Sequence, residues 1–380
     1  MRVGLTLSGD NLTSDGARFA SQLGVTDVVV HLNTYGKGTA QEVAAYASGA
    51  VGPPNAPVID EPLWDYEKMS GVVAMLAEHG LRVAALENFS PKFWSDVLLD
   101  GPAKRQQMEG LKRLVRDAGR AGIPVIGYNF SLAGVWGWQR RPAARGGAMT
   151  VGFDMSAFDH AEPIPDGMIW NMRYREPVAG ARPVTVSHAE LWQRLEWFLR
   201  ELVPVAEEAG VRLAAHPDDP PAEFLRGTAR LVNTHGKYDR LLELVPSPAN
   251  ALEFCIGSLA EMPEGDIYET TRHFARRGAL AYVHFRNVRG KVPHYVETFI
   301  DEGDVDMTEI VRILRDENYD GVLVPDHVPD LHGSKSPWHA GNAYTIGFMR
   351  ALVLNQDSLG PSRSAGAPKQ NNRAAVVAAE

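Results

Sequence analysis

Short apolar segments rich in β-branched residues recur along the chain, each followed by a polar or glycine-rich loop and a helical pattern. The eight segments most typical of strands are RVGLTLS (2–8), DVVVHL (27–32), RVAALE (82–87), PVIGYNF (124–130), VRLAAH (211–216), ALEFCIG (251–257), LAYVHF (280–285) and GVLVPDH (321–327). Several are continuously apolar, which is typical of parallel strands buried on both faces. This alternation predicts a (β/α)8 barrel. An open doubly wound sheet is the alternative, but no glycine-rich fingerprint follows the first strand.

The segments between the predicted strands are mostly helical in pattern, and two regions depart from the strand–helix repeat. Amphipathic patterns that predict helices cover 70–80, 103–122, 188–210 and 307–321. Residues 131–187 are too long for a simple loop and predict an insertion or lid within the barrel. We therefore expect a single barrel over 1–354. The segment 355–380 is rich in Ser, Pro, Ala and Asn, which predicts a disordered tail or an arm across a neighbour.

The composition excludes several classes of protein. The chain of 380 residues carries 38 Lys and Arg against 47 Asp and Glu, a net charge of −9, and it lacks the basic run that nucleic acid requires. No apolar stretch approaches the roughly 20 residues of a membrane span, and the first residues lack the pattern of a signal peptide. With Cys255 as the single cysteine, we expect a reduced, cytoplasmic protein without nucleic-acid or membrane partners.

Metal-binding residue types stand at the ends of four successive predicted strands. The carboxyl ends of the strands surround the active site of a (β/α)8 barrel. Strands five to eight end in His216, Cys255, His284 and Asp326, a donor set that suits Zn²⁺, Fe²⁺, Co²⁺ or Mn²⁺. Each residue alone has a structural alternative, such as a buried cysteine or a capping aspartate. Four of them around one barrel mouth favour a metal site.

Several motifs resemble the mannonate dehydratase family of the xylose-isomerase-like barrels. They are GIPVIGYNF (122–130), HPDDPP (216–221), FCIGSL (254–259), VHFRNV (283–288), GDVDM (303–307) and PDH (325–327). They occur in the family's order, and the resemblance spans roughly residues 1–352. It implies a (β/α)8 barrel that binds a metal, usually Mn²⁺, through His216, Cys255, His284 and Asp326. It also implies a homo-oligomer.

The resemblance implies a hydro-lyase that converts the sugar acid D-mannonate to 2-keto-3-deoxy-D-gluconate. Such a reaction removes the weakly acidic proton next to the carboxylate and expels a hydroxyl from the β carbon. A divalent metal would stabilise the enediolate that forms, and a general base and a general acid are needed. His327, next to Asp326, corresponds to a catalytic histidine of the family. Its alternative role is to orient a metal ligand by hydrogen bonding.

Two segments depart from the family's pattern. KSPWHAGNAY (335–344) has Trp338 where the family's second acid/base, a tyrosine, is expected. His339 or Tyr344 can replace that tyrosine, although Tyr344 also fits a core position of the closing helix, and Trp338 can wall the substrate pocket. The insertion begins SLAGVWGWQRR (131–141), in which Arg140 or Arg141 can clamp a carboxylate bidentately or remain a solvated charge.

Other residues near strand ends are candidates for substrate binding. Glu87 and Asn129 can bond substrate hydroxyls or serve the fold. Asp218 can orient a ligand or cap a helix. Arg286 can meet a substrate carboxylate or pair with an acidic residue at the rim. Two other functions stay open: a sugar or sugar-acid isomerase or epimerase that uses the same enediolate, and a non-catalytic paralogue that binds a sugar acid.

Overall fold

The predicted barrel is present. The computed structural model describes residues 1–32, 58–333 and 336–363. The barrel strands are β1 (Arg2–Leu7), β2 (Asp27–His31), β3 (Arg82–Glu87), β4 (Val125–Tyr128), β9 (Arg212–Ala215), β12 (Asn250–Cys255), β13 (Leu280–His284) and β16 (Val322–Val324). They pair in parallel and close in the order β1-β16-β13-β12-β9-β4-β3-β2. Each lies in one of the eight predicted segments or overlaps it, which confirms the (β/α)8 prediction.

Helices surround the strands. Within the described residues they are α1 (Ser14–Gln22), α2 (Tyr66–Ala77), α3 (Ser95–Leu99), α4 (Lys104–Arg120), α5 (His188–Ala209), α6 (Lys237–Leu244), α7 (Ile256–Ala260), α8 (Ile267–Arg276), α9 (Met307–Asp316) and α10 (Pro337–Leu354). Helix α2 begins earlier than predicted because the Asp65 side chain accepts a hydrogen bond from the backbone of Lys68 and caps it. Helix α5 begins at a capping box formed by Ser187 and Glu190 and ends at Gly210, whose φ is 68°.

Two layers of apolar side chains hold the barrel. One face of the strands fills its interior with Val29, Ala85, Val125, Ala214, Tyr282, Val322 and Val324. The alternate residues of the same strands pack against the helices in a much larger core. Because successive side chains of a strand point to opposite faces, Glu253 and Cys255 share the inner face of β12. His284 likewise shares the inner face of β13 with Tyr282.

Two hairpins from separate loops join beyond the carboxyl ends of the strands. The insertion after β4 contributes β5 (Trp138–Ala144) and β6 (Ala148–Asp154), and the loop after β13 contributes β14 (Asn287–Lys291) and β15 (His294–Thr298). They form one antiparallel sheet in the order β14-β15-β6-β5, here called the hairpin sheet. Short strand pairs complete the loops: β7 (Met168–Ile169) with β8 (Met172–Arg173), and β10 (Phe224–Leu225) with β11 (Thr228–Ala229).

The described start of the predicted tail lies against the barrel's own helices. Arg312 of α9 donates a 2.8 Å hydrogen bond to the carbonyl of Leu359, and Arg363 forms a 2.7 Å ion pair with Asp306. Residues 364–380, the rest of the predicted tail, lie outside the described residues. Among the described residues, no helix has both the length and the apolar character needed to cross a bilayer.

Candidate active site

The carboxyl ends of four neighbouring strands bring together the four predicted metal ligands. Parallel pairing sets Cys255 beside His284, and His284 beside Val324, so these strands end at one level. One ligand atom from each of His216, Cys255, His284 and Asp326 lies within 4.8 Å of the other three. This spacing allows a single ion to contact all four atoms at normal ligand distances.

The ligand atoms of the cluster lie close together, and one of them has no hydrogen-bond partner in the described part of the chain, as expected for atoms that bind a metal. The Sγ atom of Cys255 lies 3.9 Å from Oδ2 of Asp326, and Nδ1 of His284 lies 3.5 Å from the same oxygen. The buried Nδ1 atom of His284 has no hydrogen-bond partner among the described residues. A buried polar atom of this kind needs a partner such as a bound ion. The residues present therefore fit a divalent metal.

The charges around Cys255 favour its thiolate, the form that binds metals. Burial raises the pKa of the thiol, but Arg286 and the hydrogen bond with His216 outweigh burial and lower it to about 5. The backbone N–H of Ser258 also donates to Sγ at 3.4 Å. Burial lowers the pKa of His216, while Cys255 and Glu253 raise it to about 9. A metal would take the place of the proton that His216 holds.

His327 lies beside this cluster, as its position next to Asp326 predicts. Its Nε2 atom is 3.2 Å from Oδ1 of Asp326, and its Nδ1 atom is 2.8 Å from Oε1 of Glu297 on β15. The ring contacts Trp138 edge-on, with centroids 4.8 Å apart. Burial lowers its pKa, but the two carboxylates raise it to about 9. Because 32% of the side chain is exposed, the ring is accessible from outside.

Arg286 pairs with acidic residues of the rim, one of the two roles left open for it. Its guanidinium forms ion pairs with Asp219, with Glu261 at 2.6 Å and with Asp326 at 2.9 Å. It also lies 3.4 Å from Glu297. The side chain is only 2% exposed. Arg286 therefore joins the loops after β9, β12, β13 and β16 around the predicted ligand Asp326.

Three predicted substrate-binding residues are buried. Glu87 lies below the cluster, with Oε2 3.3 Å from Nε2 of His284. Asn129 is buried just after β4. Asp218 accepts hydrogen bonds of 2.6 and 2.8 Å from backbone N–H groups of the loop after β9, and it lies 3.2 Å from Arg230. The contacts of Asp218 hold this loop together.

The two arginines of the insertion point to opposite faces of the hairpin sheet. Arg140 pairs with Asp330 in the loop after β16 and shares a face with Trp138, which contacts His327. Arg141 lies on the other face, where it donates a 3.5 Å hydrogen bond to the carbonyl of Tyr295. Arg140 is thus the arginine on the side of the strand ends.

The residues that could replace the family's tyrosine make their contacts elsewhere. Trp338 and His339, at the start of α10, pack on Phe19 of α1 with ring centroids 5.6 and 4.4 Å away. Tyr344 lies on the closing helix as predicted, but it is 37% exposed rather than in the core. Its hydroxyl accepts a 3.1 Å hydrogen bond from Arg145.

Several polar residues of the site were missed in the sequence. Glu261, Tyr295 and Glu297 follow no strand-end pattern, and only the folded hairpin brings Glu297 to His327. Glu253 carried a usable signal because it is a charged residue inside the otherwise apolar segment ALEFCIG (251–257). A buried charge in a barrel strand indicates a paired or functional group.

A (β/α)8 barrel with two imidazoles, a thiol and a carboxylate at the carboxyl ends of its strands is typical of metal-dependent enzymes of this fold. The profile of the family described as D-mannonate dehydratase (UxuA) matches residues 34–355. The chain belongs to the D-mannonate dehydratase family. This membership confirms the resemblance and the prediction of a hydro-lyase, and it favours a sugar-acid dehydratase over the isomerase, epimerase and non-catalytic alternatives.

Similar proteins span most of the chain. The mannonate dehydratase of Streptococcus pneumoniae (strain 70585) is 31% identical over 294 residues, which is 73% of this chain and 79% of that protein. The mannonate dehydratase of Thermotoga maritima is 28% identical over 318 residues, 76% of this chain and 87% of that protein.

Solved structures share the fold. The crystal structure of mannonate dehydratase from Streptococcus suis serotype 2 has a TM-score of 0.74 at 26% identity and covers 97% of each chain. A D-psicose 3-epimerase from Clostridium cellulolyticum H10 has a TM-score of 0.56 at 13% identity, with 93% of this chain and 99% of that chain covered. The likeness to the epimerase shows the fold alone.

Proposed function

We propose that this protein is a divalent-metal-dependent dehydratase that removes water from D-mannonate or a closely related aldonic acid and yields the 2-keto-3-deoxy acid. The observation that carries the proposal is the meeting of two imidazoles, a thiolate and a carboxylate within 4.8 Å in a chain of this family. Relatives that span most of this chain are named mannonate dehydratases.

In this proposal His216, Cys255, His284 and Asp326 hold the metal. When bound, the ion draws negative charge from the substrate's carboxylate and so favours loss of the neighbouring proton. Mn²⁺ is the metal we propose, following the resemblance. Fe²⁺, Co²⁺ and Zn²⁺ also accept imidazole, thiolate and carboxylate ligands. Arg286 keeps Asp326 in place through its Nε–H donor, 2.9 Å from Oδ2.

His327 is the acid/base residue of the proposed reaction. Glu297 fixes its Nδ1 atom, which leaves Nε2 on the side of Asp326, where the substrate would bind. Trp138 packs against the ring and restricts its orientation. A positioned imidazole that transfers a proton contributes roughly 10²–10⁴-fold to a rate. The contacts that orient the His327 ring and its partial exposure together suit His327 to hold and release a proton.

The first experiment is a substrate panel. The purified full-length chain, loaded with Mn²⁺, is incubated with aldonic and uronic acids, and the products are identified by mass and by a keto-deoxy acid assay. We expect a product one water lighter than D-mannonate. A product of unchanged mass would show an isomerase or epimerase instead. Binding of the acid without any turnover would show a non-catalytic protein.

The second experiment changes His327 to Asn. We expect turnover to fall by roughly 10²–10⁴-fold while the metal content stays at the wild-type level. The matched control is His273→Asn, because His273 is exposed on α8 and pairs with Asp239; it should keep wild-type turnover. A wild-type rate in His327→Asn would remove this residue from the mechanism.

A further inference from the structure

A second polar layer lies directly beneath the four predicted ligands. Glu253 precedes Cys255 by one inward-facing position on β12, and Tyr282 precedes His284 in the same way on β13. Glu87, at the end of β3, completes the layer. All three side chains are buried, Glu87 at 3% exposed, Glu253 at 1% and Tyr282 at 1%. Two buried carboxylates in a barrel interior need specific partners.

Both carboxylates lie against the imidazole of His284. Its Nε2 atom lies 3.3 Å from Oε2 of Glu87 and 3.3 Å from Oε1 of Glu253. Its other nitrogen, Nδ1, faces Asp326 at 3.5 Å. A neutral imidazole carries a proton on one nitrogen and a lone pair on the other. Nε2 hydrogen-bonds to Glu87, whereas Nδ1 has no hydrogen-bond partner among the described residues, so the proton is favoured on Nε2 and the lone pair on Nδ1.

The barrel makes room for this arrangement at Gly127 on β4. A Cβ atom at this position would overlap both the hydroxyl of Tyr282 and Oε2 of Glu253. The hydroxyl of Tyr282 donates a 3.1 Å hydrogen bond to Glu87. The absence of a side chain at Gly127 is thus what allows the carboxylate and the phenol to lie side by side under His284.

We propose that Glu87 and Glu253 are positioning residues for the metal site: they hold the proton of His284 on Nε2 and aim the Nδ1 lone pair at the metal. Partners of this kind orient a ligand imidazole and raise its basicity. The inference rests on the proposed function, because it requires the metal that the four ligands would hold. The proposed site then includes a second buried layer of side chains, for which Gly127 leaves room because it has no side chain.

The same three side chains, Glu87, Glu253 and His284, also satisfy the spacing of a metal-binding group. Glu87, however, already has other partners: the donors Tyr282 at 3.1 Å and Asn88 at 3.3 Å, and Nε2 of His31 at 3.2 Å. A carboxylate with these partners is more typical of a hydrogen-bonding residue that orients its neighbours than of a metal ligand. The stoichiometry of the bound metal separates the two possibilities.

The test uses the full-length protein loaded with Co²⁺, whose visible absorption reports the ligands directly. The variants are Glu253→Gln and Glu87→Gln, which weaken the acceptors, and Gly127→Ala, which displaces Glu253 without changing its chemistry. We expect each to weaken Co²⁺ binding by roughly 10–100-fold and to shift the absorption bands. The matched control is Asp27→Asn, which removes another buried barrel carboxylate, one that pairs with Arg2 and Arg82. It should change thermal stability alone.

The outcomes separate this inference from the proposed function. Wild-type Co²⁺ affinity and spectra in both Glu253→Gln and Glu87→Gln would overturn the positioning role. It would also be overturned if the wild-type chain bound two Co²⁺ ions and either substitution removed one of them. The four-ligand site itself would be wrong, and both proposals would fail, if the wild-type protein bound no Co²⁺. The same would follow if the thiolate-to-Co²⁺ charge-transfer band of the wild-type protein were unchanged in Cys255→Ser. Should Gly127→Ala not fold, the two Gln variants decide.

Discussion

The strand-end cluster and the hairpin sheet meet at His327 but are built in different ways. The cluster of His216, Cys255, His284 and Asp326 sits on or just beyond the ends of neighbouring parallel strands, whose pairing sets its spacing. The hairpin sheet joins two loops that are far apart in the chain, through antiparallel pairing of β6 with β15. The first is part of the barrel, whereas the second is added to it.

This contrast assigns different tasks to the two regions. Strand ends in a closed barrel are held by hydrogen bonds on both sides, which suits ligands that must keep a fixed distance from one ion. Loops can vary without loss of the barrel, which suits residues that select the substrate and orient the acid/base. The hairpin sheet supplies Glu297 and Trp138 to His327 in this way. Metal binding should therefore depend on the barrel and turnover on both regions.

The largest effect should follow Cys255→Ser, a change in the barrel region. A serine hydroxyl stays protonated where a thiol gives up its proton to a metal. We expect metal affinity to fall by more than the roughly 10–100-fold that loss of a ligand's hydrogen-bond partner costs, and turnover to fall with it. Metal content after dialysis measures this, with Asp27→Asn as the control. Unchanged metal content would refute the assignment of Cys255 as a ligand.

A smaller effect should follow Glu297→Gln in the hairpin sheet. The Glu297 side chain is 2% exposed and lies 2.8 Å from Nδ1 of His327. We expect kcat to fall by roughly 10–100-fold, as when other orienting partners are lost, with little change in KM or metal content. Glu264→Gln, at an exposed position, is the control. If the metal content fell together with kcat, the division between the two regions would be wrong.

The barrel could be predicted because its signals are local. The largely apolar runs DVVVHL (27–32) and ALEFCIG (251–257) correspond to the strands β2 and β12, since a strand buried on both faces needs mostly apolar side chains. Residues at the ends of such strands are predicted to lie close together, and this prediction named His216, Cys255, His284 and Asp326. In the structure one ligand atom from each lies within 4.8 Å of the others. The resemblance to the family added the class of reaction.

The hairpin sheet could not be predicted because its pairing is non-local. Nothing in the sequence of Trp138–Ala144 or His294–Thr298 specifies the partner strand, so the sequence predicts only an insertion or lid here. Glu297 and Tyr295 went unnoticed for the same reason. The contacts of Arg286 were also left open, since pairing with Asp219 and Glu261 depends on loops that meet only in the folded barrel.

The smallest effect should follow Trp138→Phe, which removes one hydrogen bond of the hairpin sheet and keeps an aromatic ring beside His327. The indole Nε1–H donates to the hydroxyl of Tyr295 at 2.9 Å, and loss of such a bond costs about 1 kcal/mol of stability. We expect kcat to fall less than about tenfold, which corresponds to 1.4 kcal/mol, with metal content unchanged.

Tyr295→Phe and the double variant complete the comparison with Trp138→Phe. Because the hydroxyl of Tyr295 also donates to Asp219 at 2.8 Å, Tyr295→Phe should cost more than Trp138→Phe. Adding Trp138→Phe to Tyr295→Phe should then cost little, since the indole has already lost its acceptor. Thermal unfolding of the four proteins gives the coupling energy. If Trp138→Phe released the metal, the sheet would be part of the metal site rather than an addition to it.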